Sequence, residues 1–147
     1  MKVIQYMGPD KIQVSDIPKP KVSGNEVLIK VLYSGICGTD MAISAGKHPR
    51  AKARLTMGHE FSGEIVEKGD KVSEEWEIGK QVTANPLITC GKCWSCRNGQ
   101  EQACYTLNLF GIDAPGSFAE YILLPESSLH ALPEGVDVAK AALIEPL

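Results

Sequence analysis

The chain lacks features that would each place it in a distinct class of protein. No apolar run is long enough to span a membrane, and the first residues, MKVIQYMGPDK, lack the positive flank, apolar stretch and cleavage site of a secretion signal. The formal net charge is only -3 among 147 residues, which argues against an overall electrostatic attraction to nucleic acid or anionic lipid. We therefore expect a cytoplasmic protein with no membrane partner and no nucleic-acid partner.

The sequence also lacks internal repeats, low-complexity stretches and any linker long enough to divide it. With 44% hydrophobic residues, the 147 residues can bury one core, so a single domain is expected. In the segment VLIKVLY, Val27, Ile29 and Val31 alternate with Leu28 and Lys30, which predicts a strand.

Turn signals divide the chain into many such short segments. A GPDK turn near the start predicts a hairpin, and the Gly69-Asp70 turn predicts a strand on each side of it. Near the end, Asp137 is placed to cap a short helix, VAKAALI. We expect a mainly β fold with a few short helices, arranged as a barrel or a sandwich.

Four of the five cysteines lie in one segment, TCGKCWSCRNGQEQACY, at residues 89–105. The candidate ligands, spaced C-x2-C-x2-C-x7-C, are Cys90, Cys93, Cys96 and Cys104. Four thiolates complete a tetrahedral zinc shell with no open position, so the pattern predicts a structural site. The alternatives are an iron–sulfur cluster, a redox dithiol or no metal, and a zinc ribbon that contacts protein or nucleic acid would have the same closed shell.

The fifth cysteine, Cys37, lies in GICGTD, and His59 with Glu60 lies in GHEFSGEIVEKGD. One cysteine and one histidine from separate segments are suited to an open, catalytic zinc site. Because the other four cysteines belong to the segment at residues 89–105, a third ligand should be a carboxylate such as Glu60 or Glu145, or another histidine. Taken singly, Cys37 would be a small buried hydrophobe and His59 a structural histidine.

Five motifs in this order resemble those of the zinc-dependent medium-chain alcohol dehydrogenases: GICGTD, GHEFSGEIVEKG, the cysteine segment, GSFAEY and ALIEPL. The resemblance covers essentially residues 1–147 and implies a GroES-like catalytic domain, a partly open β-barrel with a zinc-binding surface lobe at about residues 89–105. It also implies a Rossmann cofactor domain after residue 147, since the chain has no G-x-G-x-x-G between a strand and a helix.

The resemblance implies roles for the matching residues. Cys37 and His59 correspond to catalytic zinc ligands, and Glu60 to a carboxylate that ligates directly, through water or in exchange with solvent. Glu145 matches the third protein ligand of the polyol, sorbitol and threonine dehydrogenase branch, where many simple alcohol dehydrogenases have cysteine.

Two further residues have roles by the same resemblance. Asp40 matches a carboxylate that orients His59 and fixes its tautomer, and Thr39 matches the hydroxyl that relays the substrate's proton. The histidine that many family members have five residues after the cysteine ligand is replaced by Ala42. His48, on the following loop, is either its substitute or a solvent-exposed histidine.

The implied function is that of the catalytic domain of an NAD- or NADP-dependent oxidoreductase. It oxidises a secondary alcohol of a polyol, sugar derivative or hydroxy amino acid to a ketone by hydride transfer. We expect two zinc ions per chain, one catalytic and one structural, and a homodimer or homotetramer for the full-length protein. The fragment alone should bind zinc and be inactive. The alternative is a non-enzymatic zinc-binding interaction module.

The segment GKHPRAKAR at residues 46–54 has four cationic side chains and no acidic one. Its position shortly before His59 suggests recognition of a phosphate or carboxylate on the substrate. The alternative is an ordinary solvated loop.

Overall fold

The computed structural model describes residues 1–146, which form mainly short strands. The strands are β1 Lys2–Gly8, β2 Lys11–Asp16, β3 Glu26–Ser34, β4 Leu55–Thr56, β5 Phe61–Lys68, β6 Gln81–Ala84, β7 Leu87–Ile88, β8 Asn108–Leu109, β9 Tyr121–Pro125 and β10 Leu129–Ala131. The helices are α1 Gly38–Ser44, α2 Trp94–Arg97 and α3 Val138–Ala141, with 3₁₀ turns at Glu101–Ala103 and Glu126–Ser128. The predicted fold class is confirmed, and Leu147 lies outside the described residues.

The main core lies on a five-stranded antiparallel sheet in the order β10-β6-β5-β3-β9. The strand predicted from VLIKVLY is confirmed as β3, with Val27 and Ile29 fully buried. Leu28, on the opposite face, is fully buried as well. Helix α3 packs against β3 and β5, and the Ser62 hydroxyl donates to the Val138 carbonyl at 2.6 Å.

The predicted hairpin is confirmed as β1 and β2, which pair around the GPDK turn with Ile4 opposite Val14. β4 pairs with the other edge of β1, giving a three-stranded sheet in the order β2-β1-β4. An isolated bridge between Val3 and Ala119 links β1 to the segment before β9, so the two sheets join as a partly open barrel. Among residues 1–146, no helix has both the length and the apolar character needed to cross a membrane.

The strand predicted to return after the Gly69-Asp70 turn is wrong. The chain does turn there, but the N–H groups of Gly69 and Lys71 donate to the carbonyls of Glu26 and Gly24. These hydrogen bonds tie the turn to the start of β3 instead of extending it along β5. The second partner of β5 is therefore β6, which comes from further along the chain.

Candidate functional site

The four clustered cysteines form a lobe between β7 and β8. Cys93 is the N-cap of α2, a helix that the sequence did not predict, and Cys104 follows the 3₁₀ turn Glu101–Ala103. The four sulfur atoms, those of Cys90, Cys93, Cys96 and Cys104, all lie within 4.8 Å of one another. Thiolates bound to one zinc are about 3.8 Å apart, so the donor set fits a tetrahedral metal ion.

Backbone N–H groups point at these sulfur atoms. Cys90, Cys93 and Cys96 donate in turn to the sulfur atoms of Cys104, Cys90 and Cys93, at 3.3, 3.4 and 3.5 Å. Hydrogen bonds from the backbone at Lys92 and Cys93 lower the pKa of the Cys90 thiol to about 6. Burial, followed by hydrogen bonding with the thiols of Cys93 and Cys104, raises the pKa of Cys96 to about 12. A metal ion held by the four sulfur atoms would therefore have to displace the proton of Cys96, whereas Cys90 gives up its proton more readily.

A second group of potential ligands lies at the start of β5. The Cys37 sulfur, a ring nitrogen of His59 and a carboxylate oxygen of Glu60 all lie within 4.8 Å of one another. His59 and Glu60 are buried, and Cys37 is partly exposed. Within the described part of the chain, the buried Nδ1 of His59 has no hydrogen-bond partner. A buried nitrogen of this kind beside a thiol and a carboxylate fits a metal ion, because buried polar atoms are otherwise paired.

Helix α1 positions Cys37. Its sulfur accepts from the N–H of Thr39 at 3.5 Å, and its own N–H donates to Oδ2 of Asp40 at 2.9 Å, which forms a capping box. The other carboxylate oxygen of Asp40 accepts from the N–H of Gly58 at 3.2 Å. Asp40, at 2% exposed, therefore ties together the two backbone segments that supply the ligands.

These partners of Asp40 differ from the expected one. The resemblance implied that its carboxylate orients the ring of His59, but no hydrogen bond described in residues 1–146 joins the two side chains. The part-buried N–H of Cys37 and the buried N–H of Gly58 both need an acceptor, and between them they use both oxygens. Because Gly58 precedes His59, the link from Asp40 to the histidine that the structure describes runs through the backbone.

Glu60 is held by Ser34 and Gly35, and Ser34 is held in turn by Ser117; the sequence did not predict these supports. The Glu60 carbonyl accepts from the N–H of Gly35 at 2.8 Å and from the Ser34 hydroxyl at 2.9 Å. The Ser34 hydroxyl lies 2.8 Å from that of Ser117, which is 1% exposed. A Cβ added at Gly35 would lie 2.5 Å from Oε2 of Glu60, so this glycine leaves room for the carboxylate. Gly35 is the first glycine of GICGTD, so this glycine was the feature of the sequence that could have indicated the support of Glu60.

The backbone just before His59 passes close to two other glycines. Gly58 has a φ of +86°, and a Cβ added at either Gly111 or Gly116 would overlap its carbonyl oxygen. The N–H of Ser117 donates to that carbonyl at 2.9 Å. The GSFAEY motif therefore supports the histidine segment, a contact that the sequence did not reveal.

Glu145 lies near the second group but not within it. Burial raises the pKa of its carboxyl, His59 opposes the rise and Glu60 adds to it, so the three side chains interact. Among the described residues, however, the group whose atoms lie within 4.8 Å consists of Cys37, His59 and Glu60. Glu145 instead lines a cavity of about 490 Å³ together with Thr83, Asn85 and His130, among others.

Thr39 and His48 are the two residues considered for proton transfer. Thr39 is half-buried in the first turn of α1, beside Cys37. His48 is half-buried rather than solvent-exposed, and its buried Nδ1 has no hydrogen-bond partner in residues 1–146. Ala42 lies within α1, where it offers no side chain for a relay.

Comparison with known proteins agrees with this architecture. Residues 23–134 match the family described as the alcohol dehydrogenase GroES-like domain. The L-threonine 3-dehydrogenase of Pyrococcus horikoshii is 41% identical over 150 residues, which cover 100% of this chain and 42% of that protein. The chain thus spans about two fifths of the length of this relative.

Solved structures give the same result. An alcohol dehydrogenase (rspB) from Escherichia coli CFT073, in complex with the cofactor NADH, superposes with a TM-score of 0.92 at 35% identity, over 99% of this chain and 42% of that one. Galactitol-1-phosphate dehydrogenase from Escherichia coli also gives 0.92, at 31% identity over the same fractions. The predicted resemblance is confirmed, and the chain belongs to the alcohol dehydrogenase GroES-like domain family.

Proposed function

We propose that the full-length protein is a zinc-dependent, NAD- or NADP-linked dehydrogenase that oxidises a secondary alcohol to a ketone, and that this chain is its catalytic domain. One observation carries the proposal. Cys37, His59 and Glu60 converge from two separate segments, outside the closed four-cysteine lobe. An interaction module would need the lobe but would have no use for this second group.

Different residues of the chain would bind the catalytic zinc and position its ligands. Cys37 and His59 would hold the catalytic zinc, with Glu60 or Glu145 as the carboxylate ligand. A zinc ion held there would supply Lewis-acid polarisation of the substrate hydroxyl. Asp40 keeps the two ligand segments at a fixed separation through the backbone of Cys37 and Gly58.

Thr39 is the proposed acceptor of the substrate's proton. Its backbone N–H donates to the Cys37 sulfur, so the residue lies directly beside the ligand group. A hydroxyl can both accept and donate a hydrogen bond, which a proton relay requires. His48, whose Nδ1 has no hydrogen-bond partner in the part of the chain that the structure describes, is a candidate for the next step of the proton path.

A nicotinamide cofactor would accept the hydride, because no amino-acid side chain carries out this chemistry. We place its binding site on a Rossmann domain outside residues 1–147. The four-cysteine lobe would hold a second, structural zinc, and the five free thiols suit a reducing compartment such as the cytoplasm. Homodimeric or homotetrameric assembly of the full-length protein belongs to the same proposal.

The test uses purified full-length protein and measures reduction of NAD and NADP with secondary alcohols. The panel contains L-threonine, polyols such as sorbitol, and polyol phosphates, which represent the three substrate classes. We expect turnover that a chelator abolishes and added zinc restores. Zinc-loaded, folded protein that reduces neither cofactor with any of these alcohols would favour the non-enzymatic module instead.

A further inference from the structure

We propose that a basic cavity beside the His59 segment binds a phosphate group carried by the substrate. The proposal rests on the proposed dehydrogenase function and adds a substrate class, a phosphorylated polyol or sugar derivative. It starts from the basic segment at residues 46–54, which neither metal site uses.

The cavity has a volume of about 390 Å³, within the usual range for small-molecule sites. One wall is the basic segment with β4, and the other is the loop that begins at β8. The polar side chains that line it are Arg50, Lys52, Arg54, Thr56, Asn108 and Asp113. Three cations facing one carboxylate leave positive charge uncompensated, so the cavity favours an anion.

Arg50 is fixed in the cavity wall. Its Nη1 lies 3.3 Å from Oδ2 of Asp113 and donates to the Leu107 carbonyl at 3.5 Å. Asp113 is fixed in turn, because the same oxygen accepts from the N–H of Leu109 at 3.0 Å. A guanidinium has five N–H donors in a planar fork, so the remaining ones can bind a second oxyanion.

Lys52 and Arg54 have no carboxylate within ion-pair distance anywhere in residues 1–146. Arg54 also has a φ of 71°, a left-handed backbone that is uncommon outside glycine. The N–H of Arg54 donates to the Tyr6 carbonyl at 2.7 Å, and its carbonyl accepts from Nε2 of Gln5 at 2.9 Å. Strand β1 therefore holds Arg54 in a strained conformation, as is found at ligand clamps.

The charge of the cavity suits a phosphate better than a carboxylate. A phosphate monoester carries about -1.5 to -2 at neutral pH and offers three acceptor oxygens. Among the described residues, Lys52 and Arg54 are two cations without an ion-pair partner, and Arg50 adds donors with a fixed direction. A carboxylate would neutralise only one of these charges.

The cavity and the second ligand group share one stretch of backbone, which the proposed substrate would follow from one to the other. Thr56 lines the cavity and precedes His59 by three residues, so their Cα atoms are at most about 11 Å apart. The Thr56 carbonyl accepts from the N–H of Gly116 at 2.8 Å, next to the crossing at Gly58. A phosphate anchored there would contribute remote binding energy that orients the reacting hydroxyl.

The test compares a hexitol 1-phosphate with the same hexitol, using full-length enzyme and the variant with Lys52→Gln and Arg54→Gln. We expect kcat/KM for the phosphate to fall about a hundredfold, because each lost charge-assisted contact is worth about tenfold. The value for the plain hexitol should change less than about twofold. Lys47→Gln is the matched control, since Lys47 belongs to the same basic segment but does not line the cavity.

Equal losses for both hexitols, or equal effects of the control and the double variant, would overturn the proposal. A change confined to the KM for NADP would assign the cavity to the cofactor and would also overturn it. Melting curves identify any variant that fails to fold, and Lys52→Gln alone then replaces the double variant.

Inorganic phosphate provides a second readout that does not depend on turnover. We expect it to inhibit competitively against the hexitol phosphate in the wild type, and much more weakly in the double variant. Its binding, measured calorimetrically, should weaken in the same variants. Phosphate binding that depends on Lys52 and Arg54 without any preference for phosphorylated substrate would indicate a free-phosphate site and contradict the substrate assignment. Absence of all turnover would instead be a failure of the dehydrogenase proposal.

Discussion

The two ligand groups differ in how the chain assembles them. The lobe takes all four sulfur atoms from one short segment, and its own backbone N–H groups point at them. The group of Cys37, His59 and Glu60 draws on α1 and the start of β5, with support from Asp40 and Ser117. A site made by one segment can depend on its metal for order, whereas a site made by the fold exists before the metal binds.

The largest effect should come from Cys37→Ser in the full-length enzyme. We expect kcat/KM to fall by about a thousandfold or more, because Lewis-acid catalysis is worth several kcal/mol. Serine is a good N-cap, so α1 should keep its start at residue 37, and the melting temperature should hardly change. Substantial activity in this variant would mean that Cys37 does not hold the catalytic metal.

Cys96→Ala in the lobe should have the opposite effect, a loss of stability with activity retained. Loss of one of four thiolates should remove the structural metal and lower the free energy of unfolding by more than about 3 kcal/mol, because metal binding there contributes to folding. Protein that remains folded at low temperature should still oxidise its alcohol. Unchanged denaturant midpoints would show that the lobe does not need a metal.

A smaller effect is expected from a substitution that disturbs Glu60, in the ligand group that the fold assembles. Gly35→Ala would place a Cβ 2.5 Å from Oε2 of Glu60, so the carboxylate must move. We expect zinc affinity at the second group, measured by competition with a chelator, to weaken about tenfold, as for other supports of metal ligands. Gly38→Ala is the control, because a Cβ there meets nothing within 4 Å. Equal affinities of the two variants would contradict this role of Gly35.

The smallest effect is a change in the protons released by the lobe, measured in a Cys37→Ser background. At pH 8 zinc must displace the proton of Cys96, whose pKa is raised to about 12, while Cys90, with a pKa lowered to about 6, is already a thiolate. Calorimetry in buffers of different ionisation enthalpy should show at least about one more proton released per zinc at pH 5 than at pH 8. The affinity should fall over the same range. Proton release that is constant between the two pH values would contradict the thiolate assignment of Cys90.

The contrast also explains how far the sequence could predict the site. The lobe, the hairpin of β1 and β2 and the buried residues of β3 follow from local spacing, and the structure contains all three. The supports of the second group do not follow from local spacing, because Ser34 with Ser117 and Asp40 with Gly58 meet only after the strands pair. The strand predicted after residue 70 is absent from the described part of the structure for the same reason. Hydrogen bonds to residues distant in sequence, at Gly24 and Glu26, form there instead of the expected pairing with β5.

Metal content tests the central claim, that one chain carries a structural and a catalytic metal site, most directly. In full-length protein we expect two zinc ions per chain in the wild type, and one in each of the single variants Cys37→Ser and Cys96→Ala. Of these, the first should lose activity and keep its stability, and the second should do the reverse. One zinc in the wild type, unchanged by Cys37→Ser, would contradict the account.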